Sequence, residues 1–175
     1  MSQSREQALS KLRQMIDGIP VAILTTLDQD GALRSRPMAA PQMDQDGVLW
    51  FFSTDYSPKV QDVRVHPQVS VSYSAPDQNR FVSLSGKADL VTDTRQIERL
   101  WKPALKAWFP RGAQDPDLAL LRVDVLSAQY WDAPSSKLVQ LLGVVKAAVG
   151  ADPGKLAGEQ EKLTLKTRIA SDTVT

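Results

Sequence analysis

The sequence predicts a mainly β, α+β domain in which six antiparallel strands form a closed or split β-barrel with peripheral helices. Runs of β-branched and aromatic residues alternate with small polar residues, which is typical of half-buried strands. The tetrapeptide Asp-Gln-Asp-Gly occurs twice between such runs, and its composition favours tight turns. Helical patterns are few and short, so hairpins are expected to join most of the strands.

The first half of the chain predicts a helix followed by a three-stranded meander. Apolar residues recur at helical spacing over residues 4–17, and Gly18 suits the end of that helix. We expect strands over 21–27, 32–43 and 48–53, with the Asp-Gln-Asp-Gly turns between them.

The second half predicts three further strands and three or four helices. We expect a short helix over 58–65, strands over 68–74 and 81–91, and a helical stripe over 94–109 that Pro103 kinks or divides. A last strand over 118–131 precedes a final helix over 135–149, which Ser135 or Ser136 would cap. The interpretation is one domain over 1–150 and a C-terminal arm or flexible tail over 151–175.

Composition excludes several classes of function. The 175 residues carry a net charge of +1, which provides no overall field for binding nucleic acid or a membrane. There is no cysteine and a single histidine, His66, so we expect no metal site. The N-terminus is polar, and no apolar run approaches the roughly 20 residues of a membrane span, which predicts a cytoplasmic protein.

Arg34 and Arg36 lie two residues apart on the second predicted strand. Because side chains alternate across a strand, both leave the same face, about 7 Å apart. Two guanidinium groups on one face suit a phosphate. Taken alone, the pair favours a solvated outer face.

A second element that suits an anion follows the third strand. Ser57 is a good N-cap and Pro58 a good first helical residue, so the free N–H groups of the next helix face this loop. Lys59 lies in the first turn, where a cation is unfavourable against the helix dipole unless an anion is near. Together the two elements predict a phosphate site, although the chain has neither a P-loop nor a G-x-G-x-x-G motif.

Four features carry a family resemblance: Met38 beside the arginines, Leu-Trp-Phe-Phe-Ser at 49–53, the Ser57-x-Lys59 helix start, and Tyr-Trp-Asp at 130–132. In this order and spacing they resemble the flavin mononucleotide (FMN)-binding split-barrel proteins. Within that family the match is to the bacterial general stress protein subgroup, relatives of pyridoxamine 5'-phosphate oxidase. The resemblance covers residues 15–143.

The resemblance implies a homodimer with FMN sites at the subunit interface. Arg34, Arg36 and Lys59 would bind the phosphate, and Lys59→Ala should weaken FMN binding roughly 10- to 100-fold. The other implied site residues line the phosphate site, lie along the ring or come from the partner subunit: Ser35, Pro37, Met38, Phe52, Ser53, Thr54, Ser57, Tyr130 and Trp131. Tyr130 and Trp131 point to opposite faces of their strand, so only one need meet the flavin.

Trp101 and Trp108 could also reach the edge of the flavin ring. Both fit the helical stripe over 94–109 without any cofactor. We therefore interpret them as core residues.

The implied activity is that of an FMN-dependent oxidoreductase linked to stress, exchanging electrons with NAD(P)H or a small oxidant. No catalytic residue is assigned. The alternatives are a non-catalytic protein that stores or senses flavin, a split barrel that binds the deazaflavin F420, and an interaction domain without a cofactor.

One departure from the family pattern concerns the substrate. Pyridoxamine phosphate oxidases carry an Arg-x-His near the C-terminus, whereas here Trp131 is followed by Asp-Ala-Pro and no histidine follows His66. The sequence therefore predicts that pyridoxamine 5'-phosphate is not oxidised.

Overall fold

The computed structural model describes residues 5–39, 43–132 and 159–164. All six predicted strands are present and form one curled antiparallel sheet, which confirms the expected fold class. They are β1 (Val21–Leu27), β2 (Leu33–Ala39), β3 (Val48–Thr54), β4 (Gln68–Ala75), β5 (Arg80–Val91) and β6 (Leu118–Asp132). Their order in the sheet is β2-β1-β4-β5-β6-β3.

In the described part of the chain, three α-helices and two short 3₁₀ turns lie around the sheet. The helices are α1 (Arg5–Ile16), α2 (Pro58–Val65) and α3 (Thr94–Leu100), and the 3₁₀ turns span Pro76–Gln78 and Pro103–Ala107. As predicted, Pro103 divides the helical stripe over 94–109 into two pieces. Within the described residues, no helix has the length and apolar content needed to cross a membrane.

The first two hairpins are built by the same turn chemistry. Asp28 Oδ1 accepts hydrogen bonds from the backbone N–H groups of Asp30 and Ala32, at 3.0 and 2.8 Å. The corresponding aspartate of the second turn, Asp44, does the same for the N–H groups two and four residues later. Gly47 has a positive φ of 84°, and a Cβ there would lie 2.6 Å from Leu9 Cδ2. Glycine is therefore required both by the turn and by its packing on α1.

The concave face of the sheet encloses the main core. Inward-facing apolar residues of every strand meet the buried stripe of α1, including Leu9, Leu12 and Met15. The ends of the sheet order are β2 and β3, and within the described residues no hydrogen-bonded ladder joins them. The barrel is thus open along one seam, and the main cleft of the protein lies there.

Three predicted segments lie partly or wholly outside the described residues. β2 spans Leu33–Ala39, residues 40–42 of the predicted strand are not described, and Met43 is not part of a strand. A seventh strand, β7 (Glu159–Thr164), pairs with residues 127–132 of β6, within the segment that the sequence predicted to be an arm or flexible tail. Because β5 occupies the other edge of β6, β7 lies on the same edge as β3. The predicted helix over 135–149 lies outside the described residues.

Candidate functional site

A cleft of about 330 Å³ lies at the open seam, between the edge strands β2 and β3. Its size is within the range of small-molecule sites. The first turn of α2 and the segment from Leu100 to Phe109 close its other sides. It is lined mainly by apolar and aromatic side chains, with few polar groups: Pro37, Met38, Ala39, Trp50, Phe52, Ser53, Thr54, Lys59, Leu100, Lys102, Ala104, Leu105, Trp108 and Phe109.

Phe52 is at the centre of the aromatic wall of the cleft. Because side chains alternate along β3, Phe52 lies on the face opposite to the buried Phe51. Its ring meets Trp101 edge-on, with centroids 5.7 Å apart, and lies 6.2 Å from the ring of Phe109. These two contacts attach both ends of the 101–109 segment to β3.

Lys59 provides a positive charge inside the cleft. Its side chain is half-buried, and within the described residues no carboxylate lies at ion-pair distance from its ammonium. Burial and the neighbouring charge of Arg36 lower the pKa of Lys59 below its ordinary value. A bound anion would offset both effects, so this end of the cleft fits a phosphate group.

Arg36 is held beside Lys59 by two buried polar residues. Its Nη1 donates to Thr26 Oγ1 at 2.6 Å, and Thr26 Oγ1 in turn donates to Asp62 Oδ2 at 2.7 Å. Arg36 Nη2 lies 3.5 Å from the same carboxylate oxygen. Burial lowers the pKa of Arg36, while the charge of Asp62 opposes that shift.

Arg34 shares the face of Arg36, as predicted, since both pair with the inward-facing positions of β1. Neither arginine is among the residues that line the cleft. Arg34 Nε donates to Asp28 Oδ2 at 2.8 Å in the turn between β1 and β2, and the Arg34 side chain is largely exposed. The N–H of Ala32 and the Arg34 guanidinium lower the pKa of Asp28. Of the three predicted phosphate ligands, the structure brings Arg36 and Lys59 together.

Hydroxyl groups connect the end of β3 to the start of α2. Ser57 is at the N-cap position, but its side chain does not cap the helix. Instead Ser57 Oγ and Ser53 Oγ form a hydrogen bond of 2.9 Å in which either can be the donor. Both serines are buried, and Ser53 and Thr54 line the cleft.

The remaining predicted site residues divide between the two faces of the sheet. Met38 is buried and Pro37 exposed, and both line the cleft. Ser35 faces outward, where its Oγ lies 2.8 Å from Thr25 Oγ1.

The neighbours Tyr130 and Trp131 point to opposite faces, as expected. Tyr130 is a core residue, 2% exposed, and the ammonium of Lys11 lies 5.2 Å from the centre of its ring. Trp131 is 36% exposed and pairs with Phe81 across the outer face. Trp131 is therefore the member of the pair that another subunit could reach.

The interpretation of Trp108 as a core residue is wrong. Its side chain is 72% exposed and lines the cleft, because the 3₁₀ turn that follows Pro103 removes it from the buried stripe of α3. Trp101 is half-buried. Together with Phe52 it packs against a second hydrophobic cluster, which consists of the buried residues Ile97, Leu118 and Leu120.

Thr26 and Asp62 are not among the site residues that the sequence predicts. One signal was available for each: Thr26 follows Ala22 and Leu24 on the buried face of β1, and Asp62 lies three residues after Lys59, hence on the same side of α2. Within the described residues, no group of His, Cys, Asp and Glu side chains is arranged to hold a metal ion.

An open-seamed half-barrel with an apolar, aromatic cleft at its seam defines the class of protein as a split barrel. The chain belongs to the pyridoxamine 5'-phosphate oxidase like family, whose model matches residues 7–153.

Three proteins illustrate what the chain is similar to. A general stress protein 26 from Jannaschia sp. CCS1 superposes with a TM-score of 0.71 at 22% identity, over 90% of this chain and 98% of the other. The general stress FMN/FAD binding protein of Xanthomonas citri has a TM-score of 0.63 at 32% identity, over 74% and 92%. The protein bli-3 of Neurospora crassa is 25% identical, over 85% of this chain and 76% of its own length.

Proposed function

We propose that the protein binds FMN in the cleft and acts as a flavin-dependent oxidoreductase. The observation that carries the proposal is the half-buried Lys59, which has no carboxylate at ion-pair distance among the described residues and lies beside Arg36 at the end of an aromatic cleft. Two cations so placed suit a phosphate, and the wall around Phe52 suits a planar ring. The similarity to a flavin-binding protein of Xanthomonas citri supports the same ligand.

The chain's own residues would bind and orient the cofactor. Lys59 and Arg36 would hold the phosphate, while Phe52 and Trp108 would cover apolar surface of the ring and exclude water. A bound flavin supplies the capacity to accept and release a hydride.

Dimerisation is part of the proposal. The outer face of the sheet exposes apolar side chains on β1, β5 and β6, namely Val21, Ile23, Phe81 and Trp131. Exposed apolar side chains grouped on one face mark an interaction surface. A second copy of the chain on this face would bury Trp131 in the subunit interface.

The first experiment is an absorbance spectrum of the purified protein after incubation with FMN and desalting. We expect flavin bands at about one per chain, a strong loss in Lys59→Met, and retention in the control Lys87→Met, whose lysine is exposed on β5. Equal retention by both variants would contradict the assigned phosphate site. If the wild-type protein retains F420 but not FMN, the proposed cofactor is wrong and the proposed site is still supported.

A second candidate function is flavin storage or sensing without turnover. The observation that favours it is the composition of the cleft, whose ionisable side chains among the described residues are two lysines and no carboxylate, histidine or tyrosine. Steady-state oxidation of NADH and NADPH by the FMN-loaded protein separates the two functions. We expect turnover with one of these donors and none with pyridoxamine 5'-phosphate.

A further inference from the structure

Behind the cleft, Thr26 on β1 and Asp62 on α2 form a buried polar pair that does not line it. Their exposed fractions are 1% and 7%. A carboxylate this buried is unfavourable unless it is hydrogen-bonded and paired. Its partners are the Thr26 hydroxyl, at 2.7 Å, and Arg36, at 3.5 Å.

The direction of the hydrogen bonds is determined by the charges at the two ends. A hydroxyl has one proton, and a guanidinium can only donate. The Thr26 proton therefore goes to Asp62, and a Thr26 lone pair accepts from Arg36 Nη1 at 2.6 Å. Because the direct contact from Arg36 to Asp62 is at the limit of hydrogen-bond length, Thr26 is the main link between the two charged groups.

These contacts restrict the guanidinium while using only part of its hydrogen-bonding capacity. A guanidinium carries five N–H donors, and Arg36 uses one on each of Nη1 and Nη2 here. The other donors are free of Thr26 and Asp62. A long side chain that is already ordered loses less conformational entropy when it binds a ligand.

We propose that Thr26 and Asp62 are positioning residues that hold Arg36 in the orientation in which it binds the phosphate of the ligand. The proposal rests on the proposed function, since it assumes a phosphorylated flavin in the cleft. Thr26 has the larger share of this role, because its hydroxyl lies between the guanidinium and the carboxylate. The competing explanation is purely structural: the pair attaches α2 to β1.

The experiment compares FMN with riboflavin, which lacks the phosphate. Dissociation constants of both are measured by flavin fluorescence, and the ratio of the riboflavin value to the FMN value reports the phosphate contacts alone. Thr26→Val removes the hydroxyl at nearly constant shape, and we expect this ratio to fall about tenfold in that variant. The size is taken by analogy with metal sites, where removing the residue that orients a ligand weakens metal binding by about 10- to 100-fold. Riboflavin binding should stay unchanged.

Two other variants control for side effects. Thr25→Val makes the same substitution one residue earlier, where the hydroxyl faces outward to Ser35, and should leave the ratio unchanged. Thr26→Ser keeps the hydroxyl and should retain the ratio within about threefold while lowering the unfolding temperature slightly. If Thr26→Val does not fold, Thr26→Ala tests the same loss of the hydroxyl with a smaller side chain.

The outcomes separate the two proposals. If the wild-type ratio is high and falls in Lys59→Met but not in Thr26→Val or Thr26→Ala, the phosphate site stands and the positioning role is overturned. The positioning role is also overturned if the ratio falls as far in Thr26→Ser as in Thr26→Val, because the change in side-chain shape would then explain the fall. A wild-type ratio near one would overturn the proposed function itself.

Discussion

The two faces of β3 have different roles, and neighbouring phenylalanines show the difference. Phe51 is fully buried among the inward-facing residues of the barrel. Phe52 is half-buried on the opposite face, where its ring contacts Trp101 and Phe109 beside a small cluster of buried apolar residues. The strand has the same backbone on both sides, so the contrast comes from what covers each face. Five other strands and α1 close the interior, while the 101–109 segment covers the opposite face only in part.

This contrast indicates which side chains of β3 can be truncated without loss of the fold. A residue of the interior loses well-matched contacts when it is truncated, and the enclosed space cannot collapse. A residue of the cleft wall already faces open space, so the same truncation removes less. Stability should therefore depend on the inner face of β3 and ligand binding on the outer face and on α2.

The largest expected effect is on the inner face. Phe51→Ala should lower the free energy of unfolding by about 3–5 kcal/mol, because it leaves a cavity in a closed core. Chemical denaturation of the apo protein measures it. Folded Phe51→Ala protein should still bind FMN within a few-fold of wild type, and a loss as large as that of Lys59→Met would show that the two faces are not separable.

Lys59→Met should weaken ligand binding without lowering the stability of the apo protein. It should weaken FMN binding about 10- to 100-fold, because a charge-assisted phosphate contact is lost. It should not lower the stability of the apo protein, because a half-buried cation near Arg36 costs stability when no anion is bound.

The pH dependence of the apo protein tests the same contrast. The pKa of Lys59 is below its ordinary 10.5 in the folded chain, so the folded state binds fewer protons than the unfolded state between these two values. The stability of the wild type relative to Lys59→Met should therefore rise with pH through this window. Denaturation at pH 7 and pH 10 measures the difference, and a fall with pH would contradict the placement of Lys59.

Phe52→Ala should have an intermediate effect on the flavin. Loss of an aromatic contact to the ring should weaken FMN and riboflavin equally, by about 2- to 10-fold, because aromatic pairs contribute roughly 0.5–1.5 kcal/mol. Titration with both ligands measures it. A change confined to FMN would place Phe52 at the phosphate instead.

The sequence predicts the strands well and the cleft only in part, for identifiable reasons. Alternation predicts which residues of β4 face inward, and the Asp-Gln-Asp-Gly turns predict where the first three strands are separated, since both depend on local chemistry. Trp108 was placed wrongly, because its periodicity continues that of α3 through a proline that ends the helix. The link from Arg36 through Thr26 to Asp62 joins three separate elements, and no local pattern gives their distances.

The smallest expected effect concerns Arg34, the predicted phosphate ligand that pairs with Asp28 in the structure. Arg34 is exposed and paired with Asp28, and exposed ion pairs contribute about 0–1 kcal/mol. Arg34→Ala should therefore weaken FMN binding by no more than about threefold, well below the loss in Lys59→Met. FMN titration at low and at 0.5 M salt measures it. A tenfold loss at low salt would mean that Arg34 leaves Asp28 for the phosphate, because only a direct contact in the cleft gives an effect of that size.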